Sequence, residues 1–563
     1  MMPKFLFLIL FGLLILPLNA QNTSYALEKP LHIPLYLSGT FGELRSNHFH
    51  SGLDIKTNGK EGYRVYSVDK GYVYRIKISK RGYGKAIYVK HPNGLISVYG
   101  HLKSFNKRIG DYIKQKQYKK QSFEIEVFPY KIELPVKKGE IIAYSGNTGG
   151  SMGAHLHFEL RNLKEHPLNP MHYGITVIDE TKPIVQNIYA YALDSISHVN
   201  QVQKRIKLSI KRVNDSLFVA DTLLAYGKIG IGLQAFDRQD KSWSKNGLYK
   251  VSMQVNGLPI FESVMEELSF ARSHYINTLI DYEYYDKYRK RIQKLWVEPY
   301  NLLEIYTQLV NDGKINIEHK KNYYISIILS DFNGNKTEVK IPVCGLKSQI
   351  FERKIIKKTP YLVIAGQNNQ FTFQNEVIIF SKKSAYYNFY LQHKNLRNGF
   401  ELSNKGVPLH KSMQIKMPIK DVKKPLRPYA FIGKSNKKGN LYALNTALIN
   451  DTLVADSKYF GKFQIGYDSI PPKIKEKNFK KKGKLTNYRY LKLRIWDDKT
   501  GIKSYNGYID DEWVLFEYDY KTSTITYHFS DKKLKGYKHK LRLIVTDRKN
   551  NTAYYNTTFY KKD

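Results

Sequence analysis

Short runs in which apolar and polar residues alternate recur along most of this chain, and that period of two constrains its fold more than any other feature. In Ile231-Gly-Leu233-Gln-Ala235-Phe-Asp237 and Leu491-Lys-Leu493-Arg-Ile495-Trp-Asp497, alternating apolar residues end on an aromatic and an aspartate. Ile325-Ser-Ile327-Ile-Leu329-Ser-Asp331, followed by Asn335, matches Leu541-Arg-Leu543-Ile-Val545-Thr-Asp547, followed by Asn551. In each, a strand runs into an Asp-led turn, as at the edges of immunoglobulin-like sandwiches. Helical periodicity is scarce, and the 46 tyrosines and 27 phenylalanines suit half-buried pleated faces. The fold class is therefore mainly β.

The chain has 563 residues, too many for one hydrophobic core. Residues 1–20 read as a cleaved secretory signal: Lys4, an apolar run over 5–18 too short to span a bilayer comfortably, and small Ala20 before polar Gln21. Residues 28–178 form a first domain, denser in Gly and His than the rest. An immunoglobulin-like sandwich is expected at 184–345, with an insertion at 265–320 that breaks the alternation and carries some helix. A further β-rich domain covers 346–470, and a second immunoglobulin-like sandwich 471–563. No second long apolar stretch follows the signal, so no transmembrane span is expected after cleavage. The protein should be exported, to the periplasm, the cell envelope or the medium.

Cys344 is the sole cysteine, so no intramolecular disulfide can form, and the residue reads as a small buried apolar group. The formal net charge of +42 attracts polyanions. The lysines are spread along the chain, and an exported protein meets anionic cell-wall polymers rather than nucleic acid. The spread reads as a solvated basic surface, with contact to such a polymer as the alternative, and nucleic-acid binding is not expected. The Asp-Asn turns are expected to satisfy their own backbone and not to bind calcium, because no dense carboxylate loop is present.

Chemistry concentrates in three histidine-bearing segments: Asn47-His48-Phe49-His50-Ser51-Gly52-Leu53-Asp54, Tyr99-Gly100-His101-Leu102, and Gly153-Ala154-His155-Leu156-His157-Phe158-Glu159. A His-x-His pair on a strand places both imidazoles on one face, about 7 Å apart along the chain, with Leu156 and Phe158 turned into a core. The turn at Gly52 can bring His50 and Asp54 to one ion. Two imidazoles and a carboxylate leave a fourth tetrahedral position open, the usual arrangement at catalytic zinc, and the remaining histidines can move protons. Spacing alone does not choose between His155 and His157 as ligand, nor exclude His48.

His50-Ser51-Gly52-Leu53-Asp54, a histidine further on, and the distant His155-Leu156-His157 together resemble the LytM and lysostaphin type zinc endopeptidases. The resemblance covers about residues 30–175. It implies a compact antiparallel β domain of the duplicated-hybrid-motif type, with one Zn2+ held by His50, Asp54 and His157 and with His101 and His155 as catalytic histidines. It also implies hydrolysis of peptide bonds in bacterial peptidoglycan, with the wall peptide as substrate. The alternative is a catalytically inactive wall-binding or regulatory protein on the same fold. The basic and aromatic stretch 104–136 departs from the pattern, and is read either as a groove wall or flap or as an enlarged surface hairpin.

Overall fold

The computed structural model describes residues 27–436 and 438–561, so the signal segment predicted at 1–20 lies outside the described residues. The described chain is mainly β, in several sheets that are almost entirely antiparallel. Among the described residues no helix is long and apolar enough to cross a membrane.

The first domain is built from β1 (Leu37–Gly39), β2 (Leu53–Lys56), β3 (Arg64–Tyr66), β4 (Gly71–Ile78), β5 (Lys85–Lys90), β6 (Ile96–Gly100), β7 (Ser104–Phe105), α1 (Lys107–Lys120), β8 (Ile125–Val127), β9 (Pro135–Val136), β10 (Ile141–Tyr144), β11 (His155–Arg161) and β12 (Pro167–Leu168). One sheet runs in the order β1-β2-β11-β6-β5-β4-β8, and a smaller one, β3-β10-β7, lies beside it. Alternation explains how they pack: Val65, Val73, Ile76, Ile87, Val89, Ile142, Leu156 and Phe158 all fall in one buried cluster. Fully burying a side chain of the Leu or Phe class contributes about 1.5–3 kcal/mol. Leu156 and Phe158 thus anchor β11 while its alternate residues face the groove.

The stretch 104–136 is not a plain hairpin. Its centre is α1, whose buried Ile109, Ile113 and Gln117 recur every fourth residue along one face. Asn106 caps its start by accepting from the Ile109 amide, and Gln121 closes its end in the left-handed region. The many lysines on its outer face hide this short periodicity in the sequence.

Downstream, each remaining β region encloses its own cluster of buried side chains. The first is gathered around the long strand Leu223–Phe236, the next lies between two five-stranded sheets, and the last between two four-stranded sheets. Part of the predicted insertion 265–320 belongs to the first domain's core: Met265, Leu268, Ile276, Leu279, Leu303 and Ile305 pack with Leu37, Phe41 and Phe49. Polar contacts reinforce this graft. Ser273 Oγ accepts from the Phe49 amide at 2.9 Å, and Asn277 Nδ2 donates to Asn47 Oδ1 at 2.9 Å. The first domain therefore borrows its core from a segment more than 200 residues away.

Candidate metal centre and active site

Strand register assembles the site. On β11, His157 sits opposite Asp54 of β2 on one side and opposite Gly100 of β6 on the other. His101 follows Gly100 directly, and His50 enters from the loop before β2. Close approach at Gly52 allows this: a Cβ there would lie 2.1 Å from the Phe158 carbonyl oxygen. The five residues picked out by sequence thus meet at one end of the sheet.

His50 Nε2 lies 3.0 Å from Asp54 Oδ1, and His157 Nδ1 lies 2.9 Å from the same oxygen. The two ring nitrogens are 3.1 Å apart. Their outer nitrogens are engaged elsewhere: His50 Nδ1 donates to the Thr40 carbonyl at 2.8 Å, and His157 Nε2 donates to Glu159 Oε1 at 2.7 Å. In their neutral forms both rings therefore turn a lone pair toward Asp54. Two lone pairs and a carboxylate oxygen converging on one point repel one another unless a cation lies among them. The three ligand atoms lie within 4.8 Å of one another, and all three residues are buried. This donor set fits zinc.

The surroundings hold these ligands in place. Asp54 Oδ2 accepts from Arg45 at 3.0 Å, and Arg45 also contacts Glu43 at 3.1 Å. Glu159, fully buried, accepts from Ser51 Oγ at 2.5 Å, from the Tyr83 hydroxyl, and from Arg161 Nε at 2.7 Å. The Tyr83 ring stacks on His157 with centroids 5.1 Å apart. Burial opposes charge on both partners of the His157–Glu159 pair. Hydrogen bonds to Asp54 and Glu159 nonetheless raise His157 to about 9, while Arg161 and His157 hold Glu159 below the usual carboxylate range. Carboxylates that favour a proton on His157 equally favour a divalent cation against its Nδ1.

His101 and His155 stand beside this cluster with their rings 4.8 Å apart. His101 Nδ1 donates to the Thr148 carbonyl at 2.8 Å, and His155 Nδ1 donates to the Gly153 carbonyl at 2.9 Å. His101 Nε2 is left to exchange a proton, whereas His155 Nε2 lies 3.3 Å from Asp54 Oδ1 at the edge of the cluster. Burial, then the facing imidazoles of His157 and His155, push His101 down to about 3, so its ring is a neutral acceptor. Its backbone sits at φ 58°, a region that costs a non-glycine residue energy and often marks a functional position. His48, two residues from His50, lies outside the cluster and is surrounded by Arg45, His50 and His274.

Sequence reading missed Thr40, Arg45, Tyr83 and Thr148, which act through a backbone carbonyl or from loops and turns and carry no spacing signal. Glu159 was findable: two residues beyond His157 on one strand, it shares that residue's face.

The C-terminal sandwich rests against the turn that leads into β11. Lys521 Nζ donates to Asn147 Oδ1 at 3.0 Å and to the Ser151 carbonyl at 2.8 Å. Lys85 pairs with Glu517 at 2.9 Å, and from α1 Lys114 pairs with Asp531 at 2.6 Å. The Tyr118 ring meets Trp513 edge-on at 5.4 Å. The stretch 104–136 thus provides a seat for the last domain.

Residues 48–118 and 126–170 match peptidase family M23, and residues 360–468 match the Zu5-like domain. The DD-carboxypeptidase/endopeptidase Mpg of Neisseria meningitidis serogroup B is 29% identical over 139 residues, which cover 25% of this chain and 26% of that protein. A lipoprotein NlpD/LppB homolog of Pseudomonas aeruginosa is 31% identical over 138 residues, covering 24% of this chain and 37% of that one. The chain thus spans about a quarter to a third of the length of these curated relatives. Among solved structures, the catalytic domain of lysostaphin from Staphylococcus simulans aligns at 24% identity and a TM-score of 0.19, covering 25% of this chain and 90% of that domain. The first domain thus matches peptidase family M23 over residues 48–118 and 126–170, ahead of a β-rich remainder.

Proposed function

We propose that this protein is an exported zinc metalloendopeptidase that hydrolyses peptide bonds of bacterial peptidoglycan, in cross-links or stem peptides, with one zinc ion per chain. The observation that carries the reading is the convergence of His50 Nε2, His157 Nδ1 and Asp54 Oδ1, with the outer nitrogen of each ring already committed to Thr40 and Glu159. Zinc held by these residues would act as a Lewis acid toward a peptide carbonyl and make a water acidic enough to attack near neutral pH. The protein groups do the rest. Of the two Nε2 atoms on His101 and His155, one accepts the proton of the attacking water. The other stabilises charge on the carbonyl oxygen or protonates the leaving amine. The Thr148 and Gly153 carbonyls fix both tautomers for this task.

Peptidoglycan as substrate is supported by the match to family M23 and by relatives whose names denote a DD-carboxypeptidase/endopeptidase and a lipoprotein. The leader read from sequence at residues 1–20 supports export, and the charge of +42 favours approach to anionic wall polymers. Digestion of purified peptidoglycan with mass spectrometry of the new termini tests the reading. New amine termini are expected from the wild type and none from His50→Ala. Absence of new termini with zinc bound would instead establish the inactive wall-binding alternative.

One observation favours a regulated form of this enzyme: Lys521 ties the last domain to the turn carrying Ser151, four residues before His155. Lys521→Ala in the full chain is expected to raise hydrolysis of sacculi, and an unchanged rate would remove the idea. A fragment ending near residue 180 is unsuited to this test, because Met265, Leu268 and Ile276 would be missing from its core.

A further inference from the structure

A second cluster lies where the first domain hands over to the rest of the chain. Asp179 is in the connecting segment, Asp237 directly follows the strand Leu223–Phe236, and Asp331 directly follows the strand Asn322–Ser330. One oxygen from each lies within 4.8 Å of the others. They line a cavity of about 30 Å³, room for a single ion or water, and its wall contains no lysine, arginine, histidine or cysteine.

An independent observation marks this cavity as more than an acidic corner. Asn246, also in its wall, is only 3% exposed, and both its amide oxygen and its amide nitrogen lack a hydrogen-bond partner. Asp237, 5% exposed, likewise has an unpartnered Oδ1. A buried carboxylate oxygen and a buried amide without partners each cost free energy that a native interior normally avoids. The other two acids are tied from outside the cavity: Asp331 accepts from the Asn335 amide at 2.8 Å and from its side chain at 2.7 Å, and Asp179 Oδ1 accepts from the Thr181 amide at 3.0 Å. The Asn335 side chain also donates to the Asp179 carbonyl at 2.9 Å, which locks the connecting segment onto the turn.

We propose that Asp179, Asp237 and Asp331, with the amide oxygen of Asn246, form a calcium site that pins the β region around the strand Leu223–Phe236 to the peptidase domain. An all-oxygen donor set with three carboxylates selects a hard divalent cation. The loose mix of connecting-segment, turn and amide oxygens suits the flexible six- to eight-fold coordination of calcium better than the strict octahedron of magnesium. The site bears on the peptidase as well. Thr40 lines the same cavity, and its carbonyl accepts from His50 Nδ1 at 2.8 Å. Loading the cavity would therefore firm the segment that orients a ligand of the catalytic cluster.

Calorimetric titration of calcium chloride, to about 1 mM, into the calcium-depleted, zinc-loaded full chain tests the proposal. One binding event and a raised unfolding midpoint are expected, with magnesium at the same concentration producing a smaller shift. Asp237→Asn and Asn246→Ala should each weaken calcium binding about tenfold or more, while Asp497→Asn, in the last sandwich, leaves it unchanged. Circular dichroism identifies any variant that fails to fold, and the remaining variant then decides. Absence of binding and of any midpoint shift in the wild type, as expected if protons neutralise the acids, would overturn the site. So would wild-type affinity in a folded Asp237→Asn or Asn246→Ala variant.

Discussion

The His50–Asp54–His157 cluster and the Asp179–Asp237–Asp331 cluster both bring three ligand atoms within 4.8 Å inside β structure, yet they are finished differently. In the first, each ring nitrogen that faces away from the centre donates to Thr40 or Glu159, and the second carboxylate oxygen is held by Arg45. In the second, every donor is oxygen, and one carboxylate oxygen and one amide are left bare. Imidazole nitrogens select a borderline metal such as zinc, whereas an oxygen-only wall selects a hard cation. A third cluster, Asp468, Asp497 and Asp547, sharpens the contrast. There Asn551 repeats the part of Asn335, donating to the Asp468 carbonyl at 2.9 Å and to Asp547 Oδ2 at 2.7 Å. But Thr500 donates its hydroxyl to Asp468 at 2.6 Å and its amide to Asp497 at 2.7 Å. Neighbouring carboxylates therefore do not by themselves make a cation site; hydrogen-bonding capacity left unmet by the protein does.

The sharpest way to break this comparison is His50→Ala. Zinc content and peptidoglycan cleavage should both be lost, while calcium titration is unchanged; zinc retained at full occupancy would erase the distinction between the clusters. Next in size is His101→Ala, expected to keep zinc by atomic absorption but to lower turnover about 10²–10⁴-fold. Loss of metal there would move His101 from proton transfer to ligation. Glu159→Gln should weaken zinc binding about 10–100-fold in a competitive chelator titration, because the His157 ring loses its charged anchor. The smallest effect is expected at the third cluster. Thr500→Val leaves Asp468 short of a donor and should cost about 1–3 kcal/mol of stability in chemical denaturation, without altering calcium affinity. A change in calcium affinity would show that the two acidic poles are coupled.

Much of the fold was legible because a strand's period survives substitution of any one residue: Leu156 and Phe158 alternate with His155, His157 and Glu159 whatever the chain does elsewhere. The site residues were legible because β2 and β11 carry their ligands at short, regular spacings. Helix α1 was not, since its buried stripe is only Ile109, Ile113 and Gln117 within a lysine-rich surface. Nor was the calcium cavity. The Asp331–Asn335 turn does satisfy its own backbone, as expected from sequence, but its meeting with Asp179 and Asp237 joins residues up to 152 positions apart.

Local chemistry along the chain was enough to establish a β architecture and to gather the candidate histidines with Asp54, since strand period and ligand spacing depend on near neighbours, and the family resemblance then singled out His50, Asp54, His101, His155 and His157. Folding in three dimensions alone settled which nitrogen of each ring faces the centre, where residues 104–136 and 265–320 pack, and which acidic cluster is left unsatisfied. Those outcomes depend on carbonyls, strand register and burial, which are properties of contacts between distant segments and leave no periodic trace in the order of residues.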